Sequence, residues 1–422
     1  MTAARMAIPR ATVRRRLLET CAQYIRAESV HPDLDLTSEA HYKTERMPES
    51  LEQILARYQP ETPLPRASTI PAAWYVDPRL LELEQRTVFR RAWQVAGQLD
   101  DVRAPGDYIT CELPGGEPIV VVRGADGSLR AFYNVCRHHA AAVVTDAHGS
   151  ATQFRCPYHG WTYALDGSLK GTPDFAEVCY FDRAANGLVP VDCDVTEKWV
   201  FVRPEREGDP LSAFLGPSLT SHLADRSLGS LHWMERRRYT LDCNWKVFVD
   251  NYLDGGYHVP HVHRGLDSVL SAREYTIEIG DRFCLQWSPM VSEGADARTG
   301  AVRQGERAFY YWIYPNFMIN CYGRAMDTNL VIPRGVDKTD VIFDFYFTDV
   351  SETSRAENLA SIEVSHDIQD EDVAICVSVQ RGLRSRAYDT GRLSVRREAG
   401  EHLFHRLLHR DLLAGLSGSV RP

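Results

Sequence analysis

Two pairs of side chains that bind transition metals stand close together in the chain: Cys136 with His138, then Cys156 with His159. Thiolate and imidazole are the ligands that iron and zinc take in proteins. Zinc ribbons use C-x2-C pairs, whereas each pair here mixes one cysteine with one histidine. The spacing therefore favours an iron–sulfur cluster over the two alternatives, a structural zinc site and an accidental spacing of core residues.

A second set of candidate ligands follows in a short span that contains His258, His261 and His263. Two imidazoles and one carboxylate form a facial triad that leaves coordination positions open, the arrangement of non-haem Fe(II) oxygenases. Residues five apart do not share a face of a regular helix. Gly255, Gly256 and Pro260 are expected to interrupt the helix, so that His258 and His263 converge and His261 points elsewhere.

The carboxylate has to come from farther along the chain, where Asp370, Glu371 and Asp372 lie in the last helical pattern. The helical period places one of them on an apolar stripe: Ile368, Asp372, Ile375, Val379 and Leu383. A buried carboxylate without a metal would be costly. We therefore predict Asp372 as the ligand and keep Glu371 as the alternative; an acidic helix start exposed to solvent would make neither a ligand.

The elements that must position these residues divide the chain. Short alternating runs between glycine and aspartate turns predict a small antiparallel β domain, and longer helical and aromatic β-like runs after it predict an α+β domain. The predicted boundaries are 1–67 for an N-terminal helical extension and linker, 68–105 for the start of the catalytic domain, 106–205 for the small β domain and 206–422 for the catalytic domain.

Composition narrows the function classes. The 422 residues carry a net charge of -9, which argues against a nucleic-acid partner. We find no apolar run long enough for a membrane span, and ten cysteines without a secretory signal indicate a reducing, cytoplasmic setting. The basic N-terminus superficially resembles a transit peptide. The alternative is a surface helix with an apolar face made of Val13, Leu17, Cys21 and Tyr24.

The cysteine–histidine motif reads C-R-H-H and then C-P-Y-H-G-W-T-Y, and in this it resembles the Rieske [2Fe-2S] proteins. In such a centre one iron takes two thiolates and the other two imidazoles, which raises the reduction potential. The family's C-x-H pattern selects His138 rather than His139 as the first imidazole ligand.

From about Trp74 to Leu413 the chain resembles the α subunit of the Rieske non-haem iron oxygenases, the ring-hydroxylating oxygenase family. Within the family it is similar to the choline monooxygenases. The segments that carry this narrower resemblance are Asn244–Phe248, Asp250–Pro260, Tyr314–Asn320, Met326–Leu330 and Ser378–Leu383.

The resemblance implies a Rieske domain inserted in a catalytic domain of helix-grip (START-like) type with a curved antiparallel sheet. It implies a mononuclear Fe(II) and a monooxygenase that hydroxylates a small organic substrate with O2. Electrons would come from NAD(P)H through a reductase or ferredoxin, because the chain has no G-x-G-x-x-G of its own. It also implies a homotrimer in which one subunit's cluster reduces its neighbour's iron. The alternatives are an aromatic-ring hydroxylating dioxygenase or demethylase, and an electron carrier with a ligand-binding domain.

Two features bear on the finer chemistry. Many family members carry a bridging carboxylate three residues before the first iron-ligating histidine, and here that residue is Gly255. We expect Asp254 to replace it, with Asn251 in the local hydrogen-bond network; a structural turn is the alternative for Asp254.

A choline-like substrate would need an aromatic cage. The alternation of one aromatic run places three rings on one sheet face: Tyr310, Trp312 and Tyr314. A core strand is the alternative for this run, because aromatic residues are enriched in strands.

Overall fold

The structure, a computed structural model, describes residues 49–417. The predictions for residues 1–48, including the apolar helix face from Val13 to Tyr24, lie outside the described residues. The helices are α1 (Leu51–Ala56), α2 (Ala73–Val76), α3 (Pro78–Glu84), α4 (Leu211–Ala224), α5 (Trp245–Leu253), α6 (Val259–Val262), α7 (Arg264–Asp267), α8 (Ala297–Val302), α9 (Arg355–Leu383) and α10 (Ala399–Ser417).

The strands fall into one group before residue 204 and another after residue 231. They are β1 (Gln94–Gln98), β2 (Asp107–Leu113), β3 (Glu117–Arg123), β4 (Leu129–Tyr133), β5 (His148–Ser150), β6 (Phe154–Arg155), β7 (Thr162–Tyr163), β8 (Leu169–Gly171), β9 (Pro190–Thr196), β10 (Trp199–Arg203), β11 (His232–Leu241), β12 (Thr276–Ile279), β13 (Phe283–Pro289), β14 (Arg307–Ile313), β15 (Phe317–Tyr322), β16 (Ala325–Gly335) and β17 (Lys338–Phe347).

The first group of strands forms the small β domain that the sequence predicts. A seven-stranded sheet has the order β1-β10-β9-β4-β3-β2-β5, and a separate sheet has the order β6-β7-β8. All of the pairings are antiparallel. Strand β1 belongs to this sheet although it precedes residue 106. The cysteine–histidine loops follow β4 and β6, so the two sheets hold the two halves of the motif.

The second group forms one antiparallel sheet with the order β11-β17-β16-β15-β14-β13-β12. The register places four polar residues in one row across β13, β14, β15 and β16: Gln286, Tyr310, Asn320 and Asp327. A cavity lies between this row and residues of α9. The predicted α+β helix-grip fold with an antiparallel sheet is confirmed.

The segment before the small β domain packs on the catalytic domain. Glu84, at the end of α3, pairs with Lys246 of α5 at 2.6 Å, and neither side chain is accessible to solvent. Trp245 Nε1 donates to the same carboxylate at 2.7 Å. Ile54 and Leu55 are also buried in the core, within the stretch predicted as extension and linker. Helix α5, which leads into the histidine span, is therefore fixed by the segment that precedes the small β domain.

Helix α9 does not bury the apolar stripe that its sequence predicts. Ile375 and Val379 are 37% and 45% exposed. The buried line runs instead through Gln369, Cys376, Gln380 and Leu383, with Asp372 partly buried between Gln369 and Cys376. The reason is that α9 docks through polar contacts: Gln380 Oε1 accepts the backbone N–H of Asn244, the cap of α5, at 2.8 Å. The stripe was wrong at two positions, although Asp372 does face inward.

Candidate metal centres and active-site cavity

The two cysteine–histidine loops share one backbone geometry. Cys136 N donates to Ala141 O, and Ala140 N donates to Cys136 O; in the second loop Cys156 N donates to Trp161 O, and Gly160 N donates to Cys156 O. Ala140 and Gly160 both have a left-handed backbone, with φ of 59° and 74°. Equal turns of this kind present the side chains of two successive loops toward each other.

The side chains of these loops suit a two-iron cluster. Both thiols are buried, at 3% exposure each. His138 is stacked on Trp161 at 4.7 Å, and its ring centroid lies 4.7 Å from that of His159. His138 Nδ1 is buried without a hydrogen-bond partner, as expected for a nitrogen that binds a metal. The donor set of two thiols and two imidazoles fits the Rieske cluster.

The hydroxyl of Tyr163, in β7, adds a contact to this centre. It lies 3.4 Å from Cys136 Sγ and accepts the backbone N–H of Arg137 at 3.0 Å. Burial raises the pKa of Tyr163 above its ordinary value. The hydroxyl therefore stays protonated and can donate to the sulfur, which is one way in which a protein tunes the potential of a cluster.

The second centre forms where α5 ends and two short helices begin. One ligand atom from each of His258, His263 and Asp372 lies within 4.8 Å of the other two. Asp372 Oδ1 is 3.0 Å from His263 Nε2 and 3.7 Å from His258 Nε2. His261 is exposed and does not belong to this group. Two imidazoles and one carboxylate that meet in this way fit a mononuclear non-haem iron.

A further carboxylate holds each imidazole from its other nitrogen. Asp254 Oδ2 lies 2.6 Å from His258 Nδ1, and Glu371 Oε2 lies 2.7 Å from His263 Nδ1. A hydrogen bond at Nδ1 fixes the tautomer that leaves Nε2 free for a metal, and it increases the basicity of that nitrogen. Glu371, the alternative ligand in the sequence prediction, therefore lies on the far side of the ring from the triad.

Asp372 accepts a hydrogen bond from a neighbouring amide and raises the pKa of His263. Asn251 Nδ2 donates to Asp372 Oδ1 at 2.8 Å. Burial by itself would lower the pKa of His263, but the hydrogen bond and charge of Asp372, followed by those of Glu371, raise it above its ordinary value. Without a metal this imidazole tends to hold a proton, and binding of a metal would release it.

The glycine turn before His258 explains the position of the supporting carboxylate. Gly255 has φ 68°, and a Cβ added there would overlap the carbonyl oxygen of Arg397. Arg397 also donates from Nη1 to Gly255 O at 2.9 Å. An acidic side chain therefore cannot occupy residue 255. Asp254, the residue before it, accepts the backbone N–H of His258 at 3.0 Å.

The cavity beside the triad is lined by tyrosines and by two charged residues. Besides the triad, its wall includes Tyr275, Tyr310, Tyr322, Arg303 and Asp327. The Tyr275 and Tyr310 rings are nearly parallel at 6.5 Å, and Tyr310 meets Tyr322 edge-on at 5.7 Å.

Of the three aromatic residues predicted to form a cage, only Tyr310 lines this cavity. Trp312 packs edge-on against Phe404 of α10 at 5.5 Å, and the Tyr314 hydroxyl donates to Asp411 of the same helix at 2.8 Å. Strand β14 passes from the cavity wall into the core, so the core-strand alternative holds for Trp312 and Tyr314. Tyr275 and Tyr322 supply the other rings, because neighbouring segments bring them alongside Tyr310.

Asp327 is 5% exposed and has only neutral partners in direct contact. Asn320 Nδ2 donates to its Oδ2 at 2.6 Å, and Asn329 Nδ2 does so at 3.4 Å. Burial raises the pKa of Asp327 above its ordinary value, although the charge of Arg303 and the two amides partly offset this. A cation in the cavity would stabilise the ionised form of this buried carboxyl.

Comparison with known proteins decides the family. Residues 92–182 match the model of the Rieske [2Fe-2S] domain, and residues 228–414 match that of the ring hydroxylating alpha subunit (catalytic domain). The chain is 40% identical over 377 residues to choline monooxygenase, chloroplastic, of Arabidopsis thaliana, covering 86% of this chain and 87% of the relative. It belongs to the Rieske non-haem iron oxygenase α subunits.

The chain is also similar to two further oxygenases. The carnitine monooxygenase oxygenase subunit of Escherichia coli (strain K12) is 31% identical over 336 residues, which cover 76% of this chain and 86% of the relative. The solved structure of a quaternary ammonium Rieske monooxygenase, described for carnitine oxidation by gut microbiota, is similar with a TM-score of 0.74. It is 28% identical and is matched over 82% of this chain and 95% of its own.

Membership confirms several predictions from the sequence. The oxygenase carries a Rieske [2Fe-2S] cluster and a mononuclear iron, and it uses O2. As an α subunit of this family it takes electrons from a reductase or ferredoxin and acts on a small-molecule substrate. Among residues 49–417 there is no helix long and apolar enough to cross a membrane.

Sequence reasoning missed several residues of the site. It treated Glu371 only as a substitute ligand, and it assigned no role to Tyr275, Tyr322, Arg303 or Asp327. Asp327 lies in a segment quoted for the resemblance, and the alternation along β16 places it on one face with Asn329. That pairing of polar residues in a buried strand was the available signal.

Proposed function

We propose that the oxygenase is the terminal component of a monooxygenase system that oxidises a quaternary ammonium compound, with electrons from NAD(P)H delivered through a reductase. The observation that carries this proposal is Asp327, a buried carboxylate in the active-site cavity with no cationic side chain in contact. Its negative charge is available to a cationic substrate.

The surrounding rings suit such a cation. A quaternary ammonium group has no N–H to donate, so it is held by the faces of aromatic rings and by long-range charge. Tyr275, Tyr310 and Tyr322 supply the rings, and Asp327 supplies the charge. A hydrogen-bonded chain fixes this wall: the Tyr252 hydroxyl donates to Asn320 Oδ1 at 2.7 Å, and Asn320 donates to Asp327.

We assign the metal ligands as the sequence predicts them. Cys136, His138, Cys156 and His159 hold the cluster, and His258, His263 and Asp372 hold the mononuclear iron. When bound, this iron offers open positions for O2, and with electrons from the cluster it supports oxidation of a substrate C–H bond. The protein's part is to orient the imidazoles through Asp254 and Glu371 and to hold the substrate beside them.

Electron transfer is proposed to run between subunits of a homotrimer. Exposed apolar residues lie on each of the two domains: Tyr158 and Tyr180 near the cluster, and Tyr257, Ile375 and Val379 near the triad. A head-to-tail contact between two such surfaces repeats until the ring closes. Asp254 accepts the backbone N–H of Tyr257 and is hydrogen-bonded to the imidazole of His258. It is the proposed bridge toward the neighbour's cluster.

An aromatic-ring hydroxylase is the less supported alternative. A neutral aromatic substrate would leave Asp327 buried and without a counter-charge, which is unfavourable.

The composition and cysteine content support a cytoplasmic setting.

The test is a substrate screen with a surrogate reductase, in which the oxidised product is followed by mass spectrometry. Choline and γ-butyrobetaine represent the quaternary ammonium class, and benzoate and toluene represent the aromatic class. We expect product only from the first class, and Asp327→Asn should lower kcat/KM for it about 10-fold to 100-fold. Turnover of an aromatic substrate, with no quaternary ammonium compound oxidised, would overturn the proposal.

A further inference from the structure

Arg303 is the second charged side chain of the active-site cavity. It follows α8 directly, is 4% exposed and lies beside Ser365 in the cavity wall. Its guanidinium lies 4.4 Å from the centre of the Tyr322 ring. An arginine keeps its charge at any pH at which the protein is folded, so the cavity contains a fixed positive charge.

The contacts of Arg303 leave that charge unpaired. Nη1 donates to Ser361 Oγ and Nη2 donates to Ser365 Oγ, each at 2.6 Å. Both partners are neutral hydroxyls, and Nε is buried without any partner. Within residues 49–417 no carboxylate forms an ion pair with this side chain. A buried charge in such surroundings is costly unless a counter-ion reaches it.

The two charges of the cavity do not satisfy each other. The charge of Arg303 acts on Asp327 at a distance, but each side chain bonds only to neutral groups of its own wall. Tyr322 stands beside Arg303, whereas Tyr310 lies in register with Asn320 and Asp327. The cavity therefore has a positive wall beside α9 and a negative wall on the sheet.

We propose that Arg303 binds an anionic group of the substrate, and that the cavity selects zwitterions in which a quaternary ammonium is linked to a carboxylate. This inference rests on the proposed function, since it places the ammonium at Asp327 and the tyrosines. The carboxylate takes two parallel N–H groups of the guanidinium, in the paired geometry that guanidinium and carboxylate favour.

Ser361 and Ser365 prepare the guanidinium for this role. They stand four residues apart on α9 and hold one terminal nitrogen each, so the plane of the group is fixed before the substrate arrives. Fixing the donors in advance lowers the cost of ordering them on binding. Arg303 is thus a specificity-determining residue that separates betaines from simple cations such as choline.

The experiment compares choline with three carboxylate-bearing substrates: glycine betaine, the trimethylammonium derivative of β-alanine and γ-butyrobetaine. The metal-replete enzyme with a surrogate reductase should give a higher kcat/KM for at least one betaine than for choline. Arg303→Gln should lower kcat/KM for that betaine about 100-fold and change that for choline less than about 5-fold. Arg303→Lys should restore part of the loss, because it restores the charge.

A matched control is Arg298→Gln, since Arg298 lies on the same helix, is exposed and pairs with Asp367 of α9. It should leave the betaine-to-choline ratio unchanged. Choline turnover within each variant shows that the protein is folded. Should Arg303→Gln fail to fold, Ser365→Ala removes one support of the guanidinium and should lower the ratio about 10-fold.

The possible outcomes separate this inference from the proposed function. Efficient oxidation of choline, together with an equal loss for choline and betaines in Arg303→Gln, would overturn the role of Arg303 and leave the proposed function standing. Oxidation of no quaternary ammonium compound would overturn both. A thermal shift of the metal-replete protein with γ-butyrobetaine that disappears in Arg303→Gln, while the shift with choline remains, would support the inference independently of turnover.

Discussion

The imidazole of His263 lies 2.7 Å through Nδ1 from the carboxylate of Glu371, on the side of the ring opposite to the triad. The neighbouring carboxylate, Asp372, lies 3.0 Å from Nε2 of the same ring. Two consecutive residues of α9 thus contact the two nitrogens of one histidine. Their expected roles differ: Asp372 binds the iron, and Glu371 orients the ligand.

Substitution of these carboxylates should separate the two roles. Asp372→Ala should lose the mononuclear iron, whereas Glu371→Ala should keep it with an affinity about 10-fold to 100-fold weaker. Iron per chain is measured after dialysis against a chelator, and the Rieske absorption serves as an internal reference. Asp370→Ala, an exposed neighbour on the same helix, is the control and should match the wild type. Loss of iron in Glu371→Ala with retention in Asp372→Ala would reverse the assignment.

Asp254 should affect electron transfer more than its neighbours do. Asp254→Asn keeps an oxygen that can accept from His258 but removes the charge of the proposed bridge. On metal-replete protein, stopped-flow absorption should show the reduced cluster reoxidised at least about 10-fold more slowly in the presence of O2 and substrate. Glu371→Gln, which supports the other histidine, is the matched control and should react at the wild-type rate. A wild-type rate in Asp254→Asn would mean that this residue only shapes the turn.

Substrate affinity should depend on pH through Asp327. Burial raises the pKa of this carboxyl, and only its ionised form attracts a cation. Binding of choline to the metal-replete protein should therefore be strong above the raised pKa and weaken as the pH falls through it. In the ligand-free protein the sign is opposite: the contribution to stability is present below the ordinary pKa and is lost as the pH rises through the raised one.

Calorimetric titration of choline across the acid range checks the dependence. Asp327→Asn should bind weakly and without this change over the same range. An equal dependence on pH in both proteins would assign the titration to another group.

The ion pair between Glu84 and Lys246 should hold the segment before the small β domain against α5 of the catalytic domain. Glu84→Gln leaves a buried ammonium without its counter-charge and should lower the free energy of unfolding by about 3 to 5 kcal/mol. Burial lowers the pKa of Lys246, so its neutral form is accessible and the destabilisation should shrink as the pH rises. Urea unfolding at two pH values measures this. The double variant Glu84→Gln/Lys246→Met should recover most of the loss; no recovery would mean that the carboxylate acts through Trp245 instead.

The cluster loops are predictable from sequence because their geometry is local. Each cysteine and its histidine lie within four residues, and the left-handed residues Ala140 and Gly160 close equal turns. The histidine span is local in the same sense, since the left-handed turn at Gly255 follows the end of α5 and Pro260 lies in the first turn of α6. Asp372 was reached by a periodicity that failed at Ile375 and Val379, because α9 packs through amides and a thiol as well as through apolar side chains.

The charged walls of the cavity could not be predicted in this way. The row that contains Tyr310, Asn320 and Asp327 depends on the register of strands joined by turns of different lengths. Arg303 follows α8, and its guanidinium is held in the cavity wall by Ser361 and Ser365 of another helix. These contacts arise from tertiary packing, so they cannot be predicted from composition or from hydrophobic periodicity.

The most direct test of the account is a single turnover of the reduced, metal-replete protein mixed with O2 and γ-butyrobetaine or choline, with product counted per mononuclear iron. We predict an oxidised quaternary ammonium product that forms as the cluster is reoxidised, and none from Cys156→Ala or His258→Ala. Reoxidation of the cluster without product from any quaternary ammonium compound, or product from either variant, would contradict the account.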